Sequence, residues 1–153
     1  MKGFTLVEVL VSTLIMGILF VGIYIVLSTG DITYQVDSAF LDLQQQARQG
    51  MAWMVRELRE AQNIQITVVD SDSDRISFNT FSGTGIMYYR DISQNRLIRE
   101  YPAGTTTLIA DNITRLKFSL SANILEIQLR AYKSAKQKPL TFSLTEKVRL
   151  RNG

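Results

Sequence analysis

The chain has 153 residues, no Cys, no His, two Pro and a formal net charge of +3. This length suits a single domain, and without Cys and His a disulfide framework, a thiol nucleophile, a thiolate metal site and the commonest general base are excluded. We therefore expect a structural or binding protein rather than an enzyme, and no cofactor.

A long apolar run occupies the first thirty residues. No charged residue occurs in Val9–Gly30, and a helix over Val9–Leu27 would be roughly 29 Å long, close to the hydrocarbon thickness of a bilayer. Lys2 precedes the run and Asp31 follows it, so the positive-inside rule predicts a single-pass anchor with a cytoplasmic N-terminus and an extracytoplasmic C-terminal domain.

Glu8 stands at the head of this apolar run. A carboxylate is costly in lipid unless it is paired or protonated, and for that reason it indicates function. It also argues against a cleaved secretory signal, for which Ser28-Thr29-Gly30 offers only a weak cleavage site. The remaining interpretation is a passive carboxylate at the membrane edge.

Residues 3–10 read GFTLVEVL and lead directly into the apolar helix. They resemble the processing and assembly signal of type IV pilins and of the pseudopilins of type II secretion. The resemblance implies that a prepilin peptidase, a membrane aspartyl peptidase, cuts between Gly3 and Phe4 and that the new amino group of Phe4 is methylated. The leader peptide would be residues 1–3, which is shorter than most leaders in this family.

The same resemblance implies partners and a location. The partners would be other minor pilins or pseudopilins, the major pilin, the prepilin peptidase and an inner-membrane assembly platform. The subunit would be stored in a bacterial inner membrane, with its C-terminal domain in the periplasm, and then extracted into a filament.

The spacing of Phe4 and Glu8 has a physical explanation that does not depend on the family. The two residues are one helical turn apart, and a carboxylate in an apolar bundle needs a cation or a proton within hydrogen-bond reach. The amino group released by cleavage is the only cation that the processed chain has before Arg48. Glu8 of an incoming subunit can therefore pair with the Phe4 amine of a neighbour and set the register, and methylation keeps that charge.

Apolar residues continue at helical spacing after Gly30, which predicts an amphipathic helix over 31–63. The stripe consists of Ile32, Val36, Phe40, Leu43, Ala47, Met51, Met54, Leu58 and Ala61. Asn63 is the predicted stop. Trp53 with Met51 and Met54 fits either a binding surface or a core, and helical spacing is more typical of a core.

From Ile64 onward the apolar residues alternate with polar ones, which predicts short antiparallel strands. Residues 133–138 are predicted to be a basic connection between the last two strands. The predicted fold class is α+β and pilin-like, with a transmembrane half-helix over 4–30, an amphipathic half-helix over 31–63 and an extracytoplasmic antiparallel β domain over 64–153. The long helix is expected to pack on the sheet.

The order of these segments indicates which group of pilin-like proteins the chain resembles. The stretches RELREA at 56–61, IMYYR at 86–90 and RLIRE at 96–100, followed by strands over 108–110 and 113–120, are similar to the minor pseudopilin J and the W-type minor pilin. The resemblance implies a minor subunit, placed in the initiating tip complex. The lack of Cys also removes the C-terminal disulfide loop that is common in major type IV pilins.

Asp70, Asp72 and Asp74 alternate with serines, as in the first half of a calcium loop. The Gly and Glu that complete an EF-hand are missing. The run is therefore interpreted as a polar hairpin turn, with calcium as a weak alternative.

Lys and Arg dominate residues 115–153. A basic surface for nucleic acid or anionic lipid is one interpretation, and the solvated face of a sheet is the favoured one, so no nucleic acid is expected. For the whole chain, the alternative to a pilin is a single-pass, membrane-anchored periplasmic binding domain that does not assemble into filaments. That alternative leaves the motif at residues 3–10 unexplained.

Overall fold

The computed structural model describes residues 5–151, and in this range it has one helix and eight strands. Helix α1 spans Leu6–Leu58. The strands are β1 (Gln62–Val68), β2 (Asp74–Thr80), β3 (Gly83–Asp91), β4 (Arg96–Glu100), β5 (Thr106–Ala110), β6 (Ile113–Ser121), β7 (Ile124–Ala135) and β8 (Lys138–Arg149). The chain divides into two compact units, Met1–Ser38 and Ala39–Gly153.

The second unit contains the hydrophobic core. Its part of α1 packs on antiparallel strands through the stripe that the sequence predicts, with Leu43, Ala47, Met51, Met54 and Leu58 all buried. The α+β, pilin-like arrangement of a long N-terminal helix on antiparallel sheet is confirmed. The fully buried part of the stripe begins at Leu43, whereas Ile32 in the first unit is exposed.

Gly50 lies at a close contact between α1 and the sheet. A Cβ atom at this position would lie 3.0 Å from Leu97 Cδ2 on β4 and 3.3 Å from Ala110 Cβ on β5. These distances are at the lower limit of van der Waals contact. The absence of a side chain therefore lets the helix backbone lie directly on these two strands.

Helix α1 ends at Leu58 rather than at the predicted stop, Asn63. In a helix that continued to Asn63, the Arg59 carbonyl would accept the Asn63 amide. In the structure this carbonyl accepts the Arg151 amide instead, at 3.1 Å. The chain turns here, so that Ala61 is buried and β1 can pair with β2.

Strands β1 to β5 form one sheet in sequence order, each antiparallel to the next. Alternation of buried and polar residues points one face of the sheet towards the core, where Phe78 on β2 and Tyr88 on β3 stack with ring centroids 6.0 Å apart. The Tyr88 hydroxyl is also in the core and donates a hydrogen bond of 2.8 Å to Glu57 Oε2 on α1. Arg99 on β4 pairs with the same carboxylate at 3.0 Å, which fastens the end of α1 to the sheet.

Strands β6, β7 and β8 form a second antiparallel sheet. The predicted basic connection over 133–138 is wrong, because β7 continues to Ala135 and β8 begins at Lys138. Only Lys136 and Gln137 lie between them, with φ values of 48° and 63°. Two residues with positive φ form the tight type I′ turn that suits the twist of paired strands.

The two sheets meet where the β1–β2 turn contacts β6. Leu116 donates its amide to the Asp72 carbonyl at 2.9 Å, and the Asp74 carboxylate accepts Lys117 Nζ at 2.9 Å and the Phe118 amide at 3.0 Å. The Asp74 side chain is only 4% exposed. A buried, fully bonded carboxylate therefore joins the sheets.

Candidate assembly site

Helix α1 begins with a cap. Thr5 precedes the helix, and its Oγ1 accepts the Glu8 amide at 3.3 Å while its carbonyl accepts the Val9 amide at 3.2 Å. Thr5 and Glu8 have the spacing of a capping box. The Glu8 side chain is exposed in the first turn, where the helix macrodipole favours a negative charge.

The start of the chain leaves Glu8 without a basic neighbour in sequence. From Lys2 to Arg48 the chain has no other Lys or Arg. No ion pair of Glu8 is found among residues 5–151. Among residues 5–151, therefore, no Lys or Arg side chain pairs with this carboxylate.

Gly3 and Phe4, the predicted cleavage and methylation residues, lie outside the described residues, as does the rest of the predicted leader over 1–3. The described residues therefore begin immediately after those on which the processing chemistry would act. The assignment of Gly3 and Phe4 rests on the sequence motif.

The first part of α1 is apolar on every side. From Leu6 to Leu27 its large side chains are exposed, with exposed fractions of 49% or more. The most apolar window has a mean hydropathy of 2.6, and none of it is buried. A helix of this length and composition can cross a membrane, and such a surface needs lipid or an apolar partner to cover it.

Three hydroxyl groups in this apolar stretch donate hydrogen bonds to carbonyls of the same helix. Ser12 Oγ donates to the Glu8 carbonyl at 2.7 Å, Thr13 Oγ1 to the Leu10 carbonyl at 2.9 Å and Ser28 Oγ to the Ile25 carbonyl at 3.0 Å. A hydroxyl bonded to the preceding turn presents little polarity to its surroundings. These residues are therefore compatible with a hydrocarbon environment.

The three aspartates of the calcium hypothesis have separate partners. Asp70 accepts the Asp72 amide at 2.7 Å, and this hydrogen bond lowers the pKa of the Asp70 carboxyl. Asp72 lies 3.7 Å from Arg115, and Asp74 is bound to Lys117. Among the described residues no group of three or more acidic side chains is placed to hold a metal ion. The run forms the turn between β1 and β2.

Trp53 and the two methionines near it do not form one surface. Met51 and Met54 are in the core, whereas Trp53 is 44% exposed. The Arg56 guanidinium lies over the indole ring, 4.6 Å from its centroid. The core interpretation therefore holds for the methionines and not for the tryptophan.

Sequence reasoning missed three largely buried polar clusters among the described residues. The first joins Glu57, Tyr88 and Arg99, and the second joins Asp74 to Lys117 across the two sheets. In the third, Arg90 donates hydrogen bonds to Ser73, Asn95 and the Ile113 carbonyl. Most of their partners lie far apart in the chain. The sequence gives only one local indication of these clusters. A charged residue stands where the pattern of apolar and polar residues predicts the edge of a strand or helix.

Comparison with known proteins gives a family match at the start of the chain. Residues 1–24 match the family described as Prokaryotic N-terminal methylation motif. No curated protein and no solved structure gives a match. The motif, continuous with an apolar helix that can cross a membrane, supports a type IV pilin-like, membrane-anchored subunit that is processed by a prepilin peptidase and assembles with other pilins.

Proposed function

We propose that this protein is a minor pilin or pseudopilin, a structural subunit of a type II secretion pseudopilus or of a type IV pilus, and that it acts in the initiating tip complex. The observation that carries the proposal is the methylation motif at residues 1–24, joined without interruption to the exposed apolar helix. The assignment to the pseudopilin J and W-type minor pilin group rests on the segment order and on the lack of Cys.

Processing would create the charge that assembly needs. Hydrolysis of the Gly3–Phe4 peptide bond leaves a carboxylate on the leader and an amine on Phe4, which is protonated at neutral pH. Transfer of one methyl group to this amine preserves its positive charge. The mature helix then presents a cation at Phe4 and a carboxylate at Glu8.

This pair of charges can set the register between neighbouring subunits. A carboxylate and an ammonium group in an apolar bundle attract each other strongly, and each is costly without the other. Glu8 of one subunit would pair with the Phe4 amine of the next. The exposed apolar faces of parallel helices would cover each other once the subunit leaves the lipid.

The same reasoning gives the proposed topology. Lys2 and the amino terminus lie on the cytoplasmic side, residues 4–30 cross the inner membrane, and the β domain that begins with β1 is in the periplasm, connected by the amphipathic part of α1 over 31–58. A structural role agrees with two described carboxylates, Glu57 on α1 and Asp74 on β2, which form ion pairs within the fold.

The test is N-terminal mass spectrometry of the protein extracted from membranes of cells that contain a prepilin peptidase. We expect a chain that begins at monomethylated Phe4. A chain that still begins at Met1, or one that begins near Asp31, would refute the processing step and favour an anchored binding domain or a cleaved signal.

A second measurement tests the place in the tip complex. If the subunit initiates filaments, its deletion lowers the number of filaments per cell, while the few that form keep their normal length. Shorter filaments in undiminished number would contradict the tip assignment and would indicate a subunit distributed along the shaft.

A further inference from the structure

Two arginines lie side by side on the polar face of the three-stranded sheet. Arg115 on β6 and Arg130 on β7 are directly opposite in the antiparallel register. Side chains in such a pair leave the same face with Cβ atoms about 4.5–5.5 Å apart, and like charges there are destabilising.

Among the described residues, only Arg115 of the two arginines has a carboxylate within ion-pair distance. Asp72 Oδ1 lies 3.7 Å from Arg115 Nε, which is too far for a hydrogen bond. This Nε is shielded from solvent and has no hydrogen-bond partner. Glu126 is already paired with Lys147 at 3.5 Å. Arg130 has no ion pair with any side chain in residues 5–151.

A small depression of about 110 Å³ lies at this pair. Its polar lining consists of Arg115, Gln128, Arg130, Ser143 and Thr145. No carboxylate lines it. Because one water in the liquid takes up about 30 Å³, this space is large enough for an oxyanion of a few heavy atoms.

We propose that Arg115 and Arg130 form a binding site for a phosphate-type oxyanion. Guanidinium groups donate two parallel hydrogen bonds to such ligands, and these charge-assisted bonds are stronger than neutral ones. The hydroxyl groups of Ser143 and Thr145 add neutral donors from the third strand. A tetrahedral phosphate offers oxygens in more directions than a planar carboxylate, so it matches donors that arrive from three strands.

The bound anion would turn the repulsion between the arginines into two attractions. The ligand can be inorganic phosphate or the phosphate of a phospholipid headgroup, since both present the same group. None of its lining residues belongs to the methylation motif or to α1, so this proposal does not rest on the processing step.

The test is titration of inorganic phosphate into the full-length protein in nonionic detergent, followed by calorimetry at constant ionic strength in chloride. The site variant is Arg130→Gln, which removes the charge and keeps most of the stem. The matched control is Arg149→Gln, an exposed residue of the same sheet that does not line the depression. Circular dichroism in chloride checks that both variants are folded.

We expect saturable phosphate binding by the wild type, at least about tenfold weaker binding by Arg130→Gln and unchanged binding by Arg149→Gln. Equal affinity of wild type and Arg130→Gln, or no saturable binding in the millimolar range, would overturn the proposal. Acetate that binds more tightly than phosphate would overturn the choice of ligand.

Reconstitution separates the two sources of phosphate. The phosphate titration is repeated in vesicles of phosphatidylcholine and in vesicles that also contain phosphatidylglycerol. Weaker apparent affinity in phosphatidylcholine vesicles than in nonionic detergent assigns a lipid headgroup as the natural occupant, because the headgroup phosphate competes. A further loss in the anionic vesicles is compared with the repulsion expected from their negative surface. Equal affinity in detergent and in phosphatidylcholine vesicles assigns the free ion.

Discussion

The buried carboxylate of Asp74 should be the most sensitive polar group of the domain. It accepts Lys117 Nζ at 2.9 Å and the Phe118 amide at 3.0 Å, and its side chain is 4% exposed against 20% for Lys117. Asp74→Asn keeps the shape and one acceptor but removes the charge. We expect a loss of about 2 kcal/mol in the free energy of unfolding, the value of a charge-assisted hydrogen bond.

Two further variants sharpen this prediction. Lys117→Met leaves the Asp74 carboxylate buried and unpaired, which should cost about 3–5 kcal/mol. Adding Asp74→Asn to Lys117→Met removes that charge, so the double variant should be more stable than Lys117→Met alone. Asp72→Asn is the matched control from the same turn, where the side chain is 52% exposed and the change should cost less than about 1 kcal/mol.

The assay is equilibrium unfolding in urea of the full-length protein in nonionic detergent. Fluorescence of Trp53, the only tryptophan, reports on the part of α1 that packs on the sheets. If Asp74→Asn is as stable as Asp72→Asn, or if the double variant is less stable than Lys117→Met, the reasoning from burial and pairing is refuted.

Three other changes should have distinct effects. Burial, reinforced by its hydrogen bond to a carboxylate, raises the pKa of Tyr88 above its ordinary 10.0, so the folded chain keeps a proton that the unfolded chain loses. The free energy of unfolding should be unaffected by this group below pH 10 and should fall by about 1.4 kcal/mol per pH unit above it, and Tyr88→Phe should remove that slope in urea titrations. Gly50→Val should destabilise by about 1–3 kcal/mol, because its side chain would collide with Leu97, whereas Gly30→Ala, with open space around it, should not; thermal unfolding compares the two. Glu8→Val should still insert and be cut but should be lost from sheared filaments relative to the membrane pool, and equal recovery in both fractions would make Glu8 a passive carboxylate.

Much of this fold can be predicted from local patterns in the sequence. The buried stripe of α1 and the alternation in strands such as β6 are set by how each residue faces the core, and a sequence displays that directly. The turn over Asp70–Asp74 is predictable because its run of aspartate and serine suits no regular element. The motif at residues 3–10 is equally local, which is why the candidate assembly site can be recognised from the amino-acid sequence alone.

Pairings between distant residues are not predictable in this way. Alternation assigns a face to each strand but not a neighbour, so the separation into two sheets is not evident. The turn at Lys136 and Gln137 lacks the Asn-Gly signal of its type. The end of α1 depends on Arg59 accepting a hydrogen bond from Arg151, which is remote in sequence.

The unbroken course of α1 has a mechanical consequence. Tension applied at the start of this helix is carried along its backbone hydrogen bonds to the stretch between Leu43 and Leu58. There the contacts between α1 and the strands resist the tension in shear. They are the apolar contacts of the core, the close contact at Gly50 and the Glu57–Arg99 ion pair. Contacts loaded in parallel must fail together rather than one at a time. A subunit drawn out of a membrane by its helix would therefore bring its folded domain with it intact.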